Sequence, residues 1–176
     1  RPGSMPPLAI GTLTETDWQI PGDNQIARDA LTGLEWLNVN VTSNMSVTDV
    51  TAELGPGGLF EGFRYATASE VEQMFANAGL SGYGTAATGL IQGNTDATTR
   101  SIAASLPGIL GLTCISDLPS CTYNTSAGYI GAPSSVGSYY RAILTVAPLG
   151  WGAGSTSGPP TDGSAQSYLG SMLVRP

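Results

Sequence analysis

Two sequence blocks constrain the fold of this chain more than any other feature. The first spans Asp29 to Leu37 and the second spans Gly62 to Val71. In the first block, Thr32-Gly33 favours a turn, and the residues after it predict a strand in which Leu34 and Trp36 share one face. We therefore expect Trp36 to lie in the core.

Two capping boxes predict the first two helices. Ser46 and Asp49 begin a helix over 47–54, which ends at the Gly- and Pro-rich run that follows. Thr67 and Glu70 begin a second helix, which ends at the next glycine. Its apolar side chains recur at helical spacing and are predicted to lie in the core: Val71, Met74, Phe75 and Ala78.

The rest of the chain alternates extended and loop-like sequence. A third helix is predicted from Asn94 to Leu106, capped by Asn94 or Thr95 and stopped at Pro107. The Gly-, Ser- and Pro-rich segment 149–163 is predicted to be a flexible loop that carries Trp151. Strands are predicted at 10–16, 25–28, 34–38, 128–131, 138–146 and 165–174.

Length and composition indicate one extracellular domain. The 176 residues suffice for a single core, and we place one globular domain at 8–175, with an expression-tag remnant at 1–5. Charged residues make up only 11% of the chain, so Ser, Thr, Asn and Gly must form most of the polar surface. This balance is typical of secreted proteins. No run of 18 apolar residues occurs, so no membrane span is predicted.

Missing residue types exclude several chemistries. All six basic residues are Arg, and the chain has no His and no Lys. Ser-His and Cys-His nucleophile pairs, His metal ligands, Schiff bases and P-loop lysines are therefore excluded. The net charge of -7 also disfavours binding to the phosphate backbone of nucleic acids.

The two cysteines, Cys114 and Cys121, enclose a six-residue loop that contains Pro119. In a secreted chain this arrangement favours a disulfide over two free thiols. A zinc site is not expected from two sulfur ligands without His.

The two blocks, with Leu173-Val174-Arg175, resemble bacterial exosortase substrates, the PEP-CTERM proteins. Many of these carry a D-x-x-TGLEWL block, a short helix, a G(W/F)RYAT-x-x-EV block and a closing LVR strand. More distantly, the blocks are similar to the C-terminal domain of bacterial collagen-like adhesins, which is related to the C-type lectin and formylglycine-generating-enzyme scaffold. The resemblance implies an α+β, C-type-lectin-like fold with two to three short helices, twisted antiparallel strands and long loops.

The same resemblance implies where the protein works and what it does. We expect an exported protein of the outer surface or extracellular matrix of a Gram-negative bacterium, with its C-terminal sorting anchor removed. A non-catalytic role in adhesion or biofilm organisation follows, with an extracellular polysaccharide or a surface protein as partner. A self-associating structural matrix component is the alternative. We expect the partner to be recognised within residues 80–163, which match neither family.

Sugar recognition would use exposed aromatic side chains. Trp151 with Tyr139, Tyr140 or Tyr83 is the predicted stacking surface. The alternative is that Trp151 only pins its loop to the domain.

Acidic residues leave two further hypotheses open. Asp17, Asp23, Asn24 and Asp29 surround a turn and are candidate Ca²⁺ ligands, although turn chemistry explains Asp23 and Asn24 equally well. No other cofactor is expected. A glycoside hydrolase needs only two carboxylates, but no spacing marks a pair, and helix caps or solvated surface explain the same residues. The eight candidates are Glu15, Asp17, Asp23, Asp29, Glu35, Glu61, Glu70 and Asp96.

Arg64 is predicted to be structural. Its planar guanidinium can hold a carboxylate with two parallel hydrogen bonds. Glu35 and Glu70 are the two candidate partners.

Overall fold

The chain folds into two β-sheets and several short helices. The computed structural model describes residues 6–80, 91–92, 97–114, 124–133, 139–147, 150–156 and 163–176; the predicted tag remnant lies outside these ranges. The strands are β1 (Ala9–Ile10), β2 (Leu13–Thr16), β3 (Ile26–Asp29), β4 (Glu35–Leu37), β5 (Arg64–Tyr65), β6 (Ile91–Gln92), β7 (Asn124–Pro133), β8 (Tyr139–Ala147), β9 (Gly150–Thr156), β10 (Gly170–Ser171) and β11 (Leu173–Arg175). The helices are α1 (Val47–Ala52), α2 (Ala68–Asn77), α3 (Ala97–Ser105), α4 (Pro107–Leu110) and a 3₁₀-helix (Val39–Thr42).

The two sheets are joined by the C-terminal segment. The first sheet has the strand order β1-β2-β3-β4-β11-β5 and is antiparallel throughout. The second has the order β10-β7-β8-β9-β6 and is antiparallel except where β10 pairs with β7. Because β10 and β11 are separated only by Met172, the chain passes directly from one sheet into the other. The predicted α+β class is confirmed.

The two sequence blocks meet in the first sheet. β4, from the first block, and β5, from the second, pair with opposite sides of β11. Val174 lies opposite Trp36 on one side and opposite Arg64 on the other. The residues that carry the family resemblance are therefore neighbours in one sheet.

Side-chain alternation along these strands divides the core into clusters. Trp36 and Val174 point into the main cluster, together with the apolar stripe of α2 and residues of β7, β8 and α4. Leu37 and Leu173 point to the other side of the sheet, where Val50 of α1 covers them. The predicted burial of Trp36 and of the α2 stripe is confirmed. Trp36 and Leu37 lie in different clusters because successive strand residues face opposite sides, whereas the α2 stripe follows helical spacing.

The helices follow their capping signals, with differences at their ends. Both capping boxes form reciprocally, so α1 and α2 begin where predicted. α1 ends at Ala52 rather than at residue 54, and α3 covers 97–105, while its predicted caps lie outside the described residues. Pro107 does not simply end α3; it opens α4, because proline fits the first turn of a helix. The described ranges thus hold four α-helices, which exceeds the predicted two to three.

Four of the six predicted strands are observed with shifted ends: 25–28 as β3, 34–38 as β4, 128–131 as β7 and 138–146 as β8. The predicted strand at 10–16 is divided into β1 and β2 by a turn at Gly11, which has φ +57°. The strand predicted at 165–174 is reduced to the short β10 and β11. The prediction of a loop over 149–163 was wrong for β9, which pairs with β8 on one side and β6 on the other. This pairing overrides the low strand propensity of its glycines. No helix in the described ranges is long and apolar enough to cross a membrane.

Gly170 allows the C-terminal segment to cross the 3₁₀-helix, which yields a stability prediction. A Cβ at this position would collide with the Val39 carbonyl oxygen and lie 2.9 Å from Thr42 Oγ1. We expect Gly170→Ala to lower the free energy of unfolding by roughly 2 kcal/mol or more, because backbone cannot yield as a flexible side chain does. Urea denaturation measures the change. Gly55→Ala is the matched control, since a Cβ there meets nothing within 4 Å, and equal effects of the two substitutions would contradict the prediction.

Candidate binding surface

Asp29, the first residue of the first block, is a buried hydrogen-bond acceptor. Thr12 Oγ1 donates to its Oδ1 at 2.6 Å, and the Leu31 amide donates to the same atom at 3.0 Å. Asn77 Nδ2, at the end of α2, donates to its Oδ2 at 2.7 Å. Burial raises the pKa of Asp29, but these hydrogen bonds outweigh it and leave the pKa below its usual value. Asp29 therefore ties β3 to the β1–β2 turn and to α2.

Asp23 holds the loop that precedes β3. Its two carboxylate oxygens accept the backbone amides of Trp18, Gln19, Ile20 and Gln25 at 2.9 to 3.2 Å. Burial raises the pKa of Asp23, and the four amide donors more than reverse that effect, so the pKa is lowered. Asp17 Oδ1 accepts the Asn24 amide at 3.1 Å, where Asn24 has φ 49°.

The predicted Ca²⁺ ligands are thus used mainly as acceptors for protein donors. Asp29 belongs to the α2 network, whereas Asp17, Asp23 and Asn24 organise one loop by turn chemistry. No group of three or more His, Cys, Asp or Glu side chains that could hold a metal ion occurs within the described ranges. Ca²⁺ binding therefore stays a prediction, because the described residues do not bring such a group of acidic ligands together.

The two glutamates of the blocks bind different arginines. Arg64 donates to Glu70 Oε1 at 2.6 Å and to Oε2 at 2.8 Å, so Glu70 is its partner rather than Glu35. Arg175 Nε donates to Glu35 Oε2 at 2.7 Å, and Arg28 lies 3.9 Å from Glu35 Oε1. Of the two partners predicted for Arg64, the structure therefore shows Glu70, which is the nearer in sequence.

An Asp29 substitution tests the buried network. All of its described partners donate hydrogen bonds, and Asn77 Oδ1 already accepts from Gln73, so an amide nitrogen at position 29 would face another donor. We expect Asp29→Asn to lower the free energy of unfolding by about 2 kcal/mol. Chemical denaturation measures the change, with Glu72→Gln on the exposed side of α2 as the control. A loss no larger than that of the control would show that Asp29 is not a stabilising acceptor.

Glu70 predicts a pH dependence of stability. Its hydrogen bonds with Arg64 are the largest cause that lowers its pKa, from 4.5 to about 2, against the opposing effect of burial. Because the folded-state pKa is the lower one, this stabilisation is present above pH 4.5 and is lost as the pH falls towards 2. Arg64 is half exposed, and solvent therefore reduces the contribution.

We expect Glu70→Gln to lower stability by roughly 1 kcal/mol at neutral pH and to have less effect as the pH falls through this window, since glutamine keeps the capping-box acceptor. Thermal unfolding from neutral pH to the acid limit measures the difference between variant and wild type. A difference that stays constant with pH would refute the ion-pair assignment.

Two loops meet at a stack of aromatic rings on the surface of the second core cluster. The Trp18 ring stacks on Phe60 with centroids 5.9 Å apart and lies edge-on to Phe63 at 6.2 Å. Arg175 Cζ lies 4.6 Å from the centroid of Phe63. Trp18 is only half-buried, while Phe60 and Phe63 are buried beneath it. This stack joins loop A, residues 17–25, to loop B, residues 53–62.

Each loop also exposes a large aliphatic side chain within two residues of a ring of the stack in sequence. Ile20 follows Trp18 by two residues and is 66% exposed; Leu59 precedes Phe60 and is 50% exposed. We define the Trp18 surface as the exposed Ile20 and Leu59 together with Trp18, which packs on the buried Phe60 and Phe63.

Loop B is held internally in the same way as loop A. Glu53 Oε2 accepts the Leu59 amide at 2.7 Å, and Glu61 Oε2 accepts the Gly57 amide at 2.8 Å. The Phe60 amide donates to the Glu53 carbonyl at 2.9 Å. A Cβ at Gly58 would collide with the Glu53 backbone, so the close return of the chain requires glycine. Both loops therefore present their apolar residues from fixed backbones.

The predicted sugar-stacking residues are only partly placed. Trp151 lies in β9 rather than in a loop, and Tyr139 and Tyr140 lie in β8, but their side chains and the whole of Tyr83 lie outside the described residues. Trp18 was not among the binding residues predicted from the sequence. One signal for an exposed apolar site was present: the turn-rich stretch Trp18-Gln19-Ile20-Pro21-Gly22 contains an aromatic and an aliphatic residue.

The carboxylates of the described residues are largely engaged. Nine of the ten Asp and Glu side chains in those ranges accept hydrogen bonds from backbone amides or from hydroxyl, side-chain amide or guanidinium groups, and the tenth, Glu72, is exposed. Asp96 lies outside the described ranges. Among the eight candidates for a hydrolytic pair, the described seven are thus organisers of loops, caps and sheet edges.

Cys114 is buried and forms an isolated bridge with Thr125. No cysteine among the described residues is free, but Cys121 lies outside the described ranges. The Cys114–Cys121 disulfide stays a prediction.

Comparison with protein-family models, with curated proteins and with solved structures finds no match to this chain in any of the three.

Proposed function

We propose that this chain is a non-catalytic, exported domain of a bacterial surface or extracellular matrix, which acts in adhesion or biofilm organisation. The main support for this proposal is that the carboxylates of the described residues bind donors within the protein itself. Nine of ten described carboxylates accept hydrogen bonds within the protein, whereas a glycosidase needs two that converge on a substrate.

The resemblance of the two blocks supports the cellular location. Their residues form contacts within the scaffold: Asp29 is a buried acceptor, Trp36 is core, and Glu35 and Glu70 bind arginines. Such residues specify a fold rather than a reaction. We propose that the fold is of the C-type-lectin-like kind and that the domain belongs to the outer surface or matrix of a Gram-negative bacterium.

The ligand class proposed is an extracellular polysaccharide or a surface protein. The fixed loops A and B support a binding role, because a preorganised surface loses little conformational entropy when it binds. The predicted glycan platform at Trp151, Tyr139, Tyr140 and Tyr83 is a separate hypothesis about the sugar-binding position.

Adhesion by the immobilised chain tests the proposal. Beads coated with the folded chain are incubated with extracellular polysaccharide and with outer-membrane fragments from a Gram-negative biofilm, and chromogenic glycosides report hydrolysis. We expect retention of at least one of the two materials and no turnover, with beads carrying heat-denatured chain as the control. Turnover would contradict the non-catalytic assignment. Concentration-dependent assembly without retention, measured by sedimentation, would favour the structural matrix alternative.

The glycan platform has its own test. If Trp151 stacks on a sugar, Trp151→Ala weakens polysaccharide retention by about tenfold, since a buried aromatic anchor dominates a small interface. Leu31→Ala, at a 68% exposed apolar residue, is the matched control. Unchanged retention with Trp151→Ala would reject the platform but leave the adhesion proposal in place.

A further inference from the structure

The Trp18 surface has the composition of a protein-docking site. Single exposed apolar residues are common on protein surfaces. Here, however, Ile20 and Leu59 belong to two loops, distant in sequence, that one aromatic stack joins. Tryptophan is enriched among the residues that dominate binding energy at protein interfaces, and the buried core of an interface is more apolar than the rest of the surface.

The backbone that presents these residues is already fixed. The Ile20 amide is bound by Asp23 and the Leu59 amide by Glu53. These charge-assisted hydrogen bonds hold each aliphatic residue at its own backbone nitrogen. A partner would therefore meet a preorganised surface and would not have to order the loops.

All charged side chains of loops A and B are acidic. Loops A and B contain Asp17, Asp23, Glu53 and Glu61 and no basic residue. Arg175 of the first sheet lies over Phe63, and it shares Glu35 with Arg28. The whole chain carries -7, so a second copy or an acidic polysaccharide would be repelled.

We propose that the Trp18 surface docks a cationic segment of a partner protein, in which Lys or Arg side chains flank an aliphatic or aromatic residue. The apolar residue packs against Trp18, Ile20 and Leu59. The flanking cations face the carboxylates of loops A and B, and a cation over an indole ring gains a further attraction. This inference rests on the proposed adhesion function and assigns it a surface and a partner chemistry.

A peptide array tests the proposal with the full folded chain. The probes are short synthetic peptides with a central Leu, Ile or Phe, flanked by Lys or Arg in one set, by Glu in a matched set and by Ser in a neutral set. We expect retention of the basic set, at least tenfold above the other two. Raising NaCl from about 0.05 M to about 0.5 M should weaken that retention, since screening shortens the reach of the carboxylates.

Substitutions then locate the binding. Ile20→Ala combined with Leu59→Ala should weaken retention about tenfold, because truncating two large aliphatic side chains removes apolar area that the partner would bury. Asp17→Asn combined with Glu61→Gln removes two charges but keeps an oxygen acceptor for the Asn24 and Gly57 amides. This charge variant should weaken binding at low salt and have little effect at high salt.

Matched controls separate the surface from general effects. Leu31→Ala removes an exposed leucine at the turn between β3 and β4, at the opposite end of β3 from loop A, and Glu72→Gln removes an exposed acid on α2. Both should retain wild-type binding, and thermal unfolding confirms that every variant is folded.

Three results would overturn the inference: basic peptides retained no better than acidic ones, binding unchanged in the Ile20/Leu59 variant, or equal losses in the controls. If any of these occurs while coated beads still adhere to polysaccharide or outer-membrane fragments, the docking inference fails and the adhesion function stands. If the beads adhere to neither material, the proposed function fails by itself.

Discussion

The fold depends on how closely the C-terminal segment passes the 3₁₀-helix. Gly170 lies against the Val39 carbonyl, and the Ser171 amide donates to Thr42 Oγ1 at 2.7 Å. From this point the chain supplies β10 to the second sheet and β11 to the first. The Ser171 hydroxyl also shares a hydrogen bond of 3.0 Å with Tyr65, which belongs to the second block. Without this passage, β4 and β5 would have no common neighbour.

The carboxylates of this chain have few basic side chains with which to pair. All six basic residues are Arg, and the chain has no lysine. Its carboxylates instead accept backbone amides, as Asp23 does in loop A and Glu53 does in loop B. A carboxylate bound by several amides stays ionised and fixes the backbone around it. The lowered pKa of Asp23 and the rigid loops therefore have the same cause.

Local interactions were predictable from the sequence, and distant ones were not. The capping boxes of α1 and α2, and the burial of Trp36, follow from spacings of a few residues. Arg64 finds Glu70 six residues away, whereas Glu35 finds Arg175 across 140 positions, a pairing that no local pattern encodes. β9 was missed because its glycines lower strand propensity, while two neighbouring strands supply the hydrogen bonds. The Trp18 surface was missed since it combines loops that only the tertiary fold brings together.

The position of β11 also affects how the polypeptide folds. β4 and β5 lie at residues 35–37 and 64–65, yet the strand between them comes from residues 173–175, more than 100 positions later. Joining such distant segments has a loop-closure cost and slows folding. Until β11 docks, β4 lacks its partner on that side, and an unpaired strand edge can pair with other chains. We therefore expect the first sheet to be completed in a late step of folding.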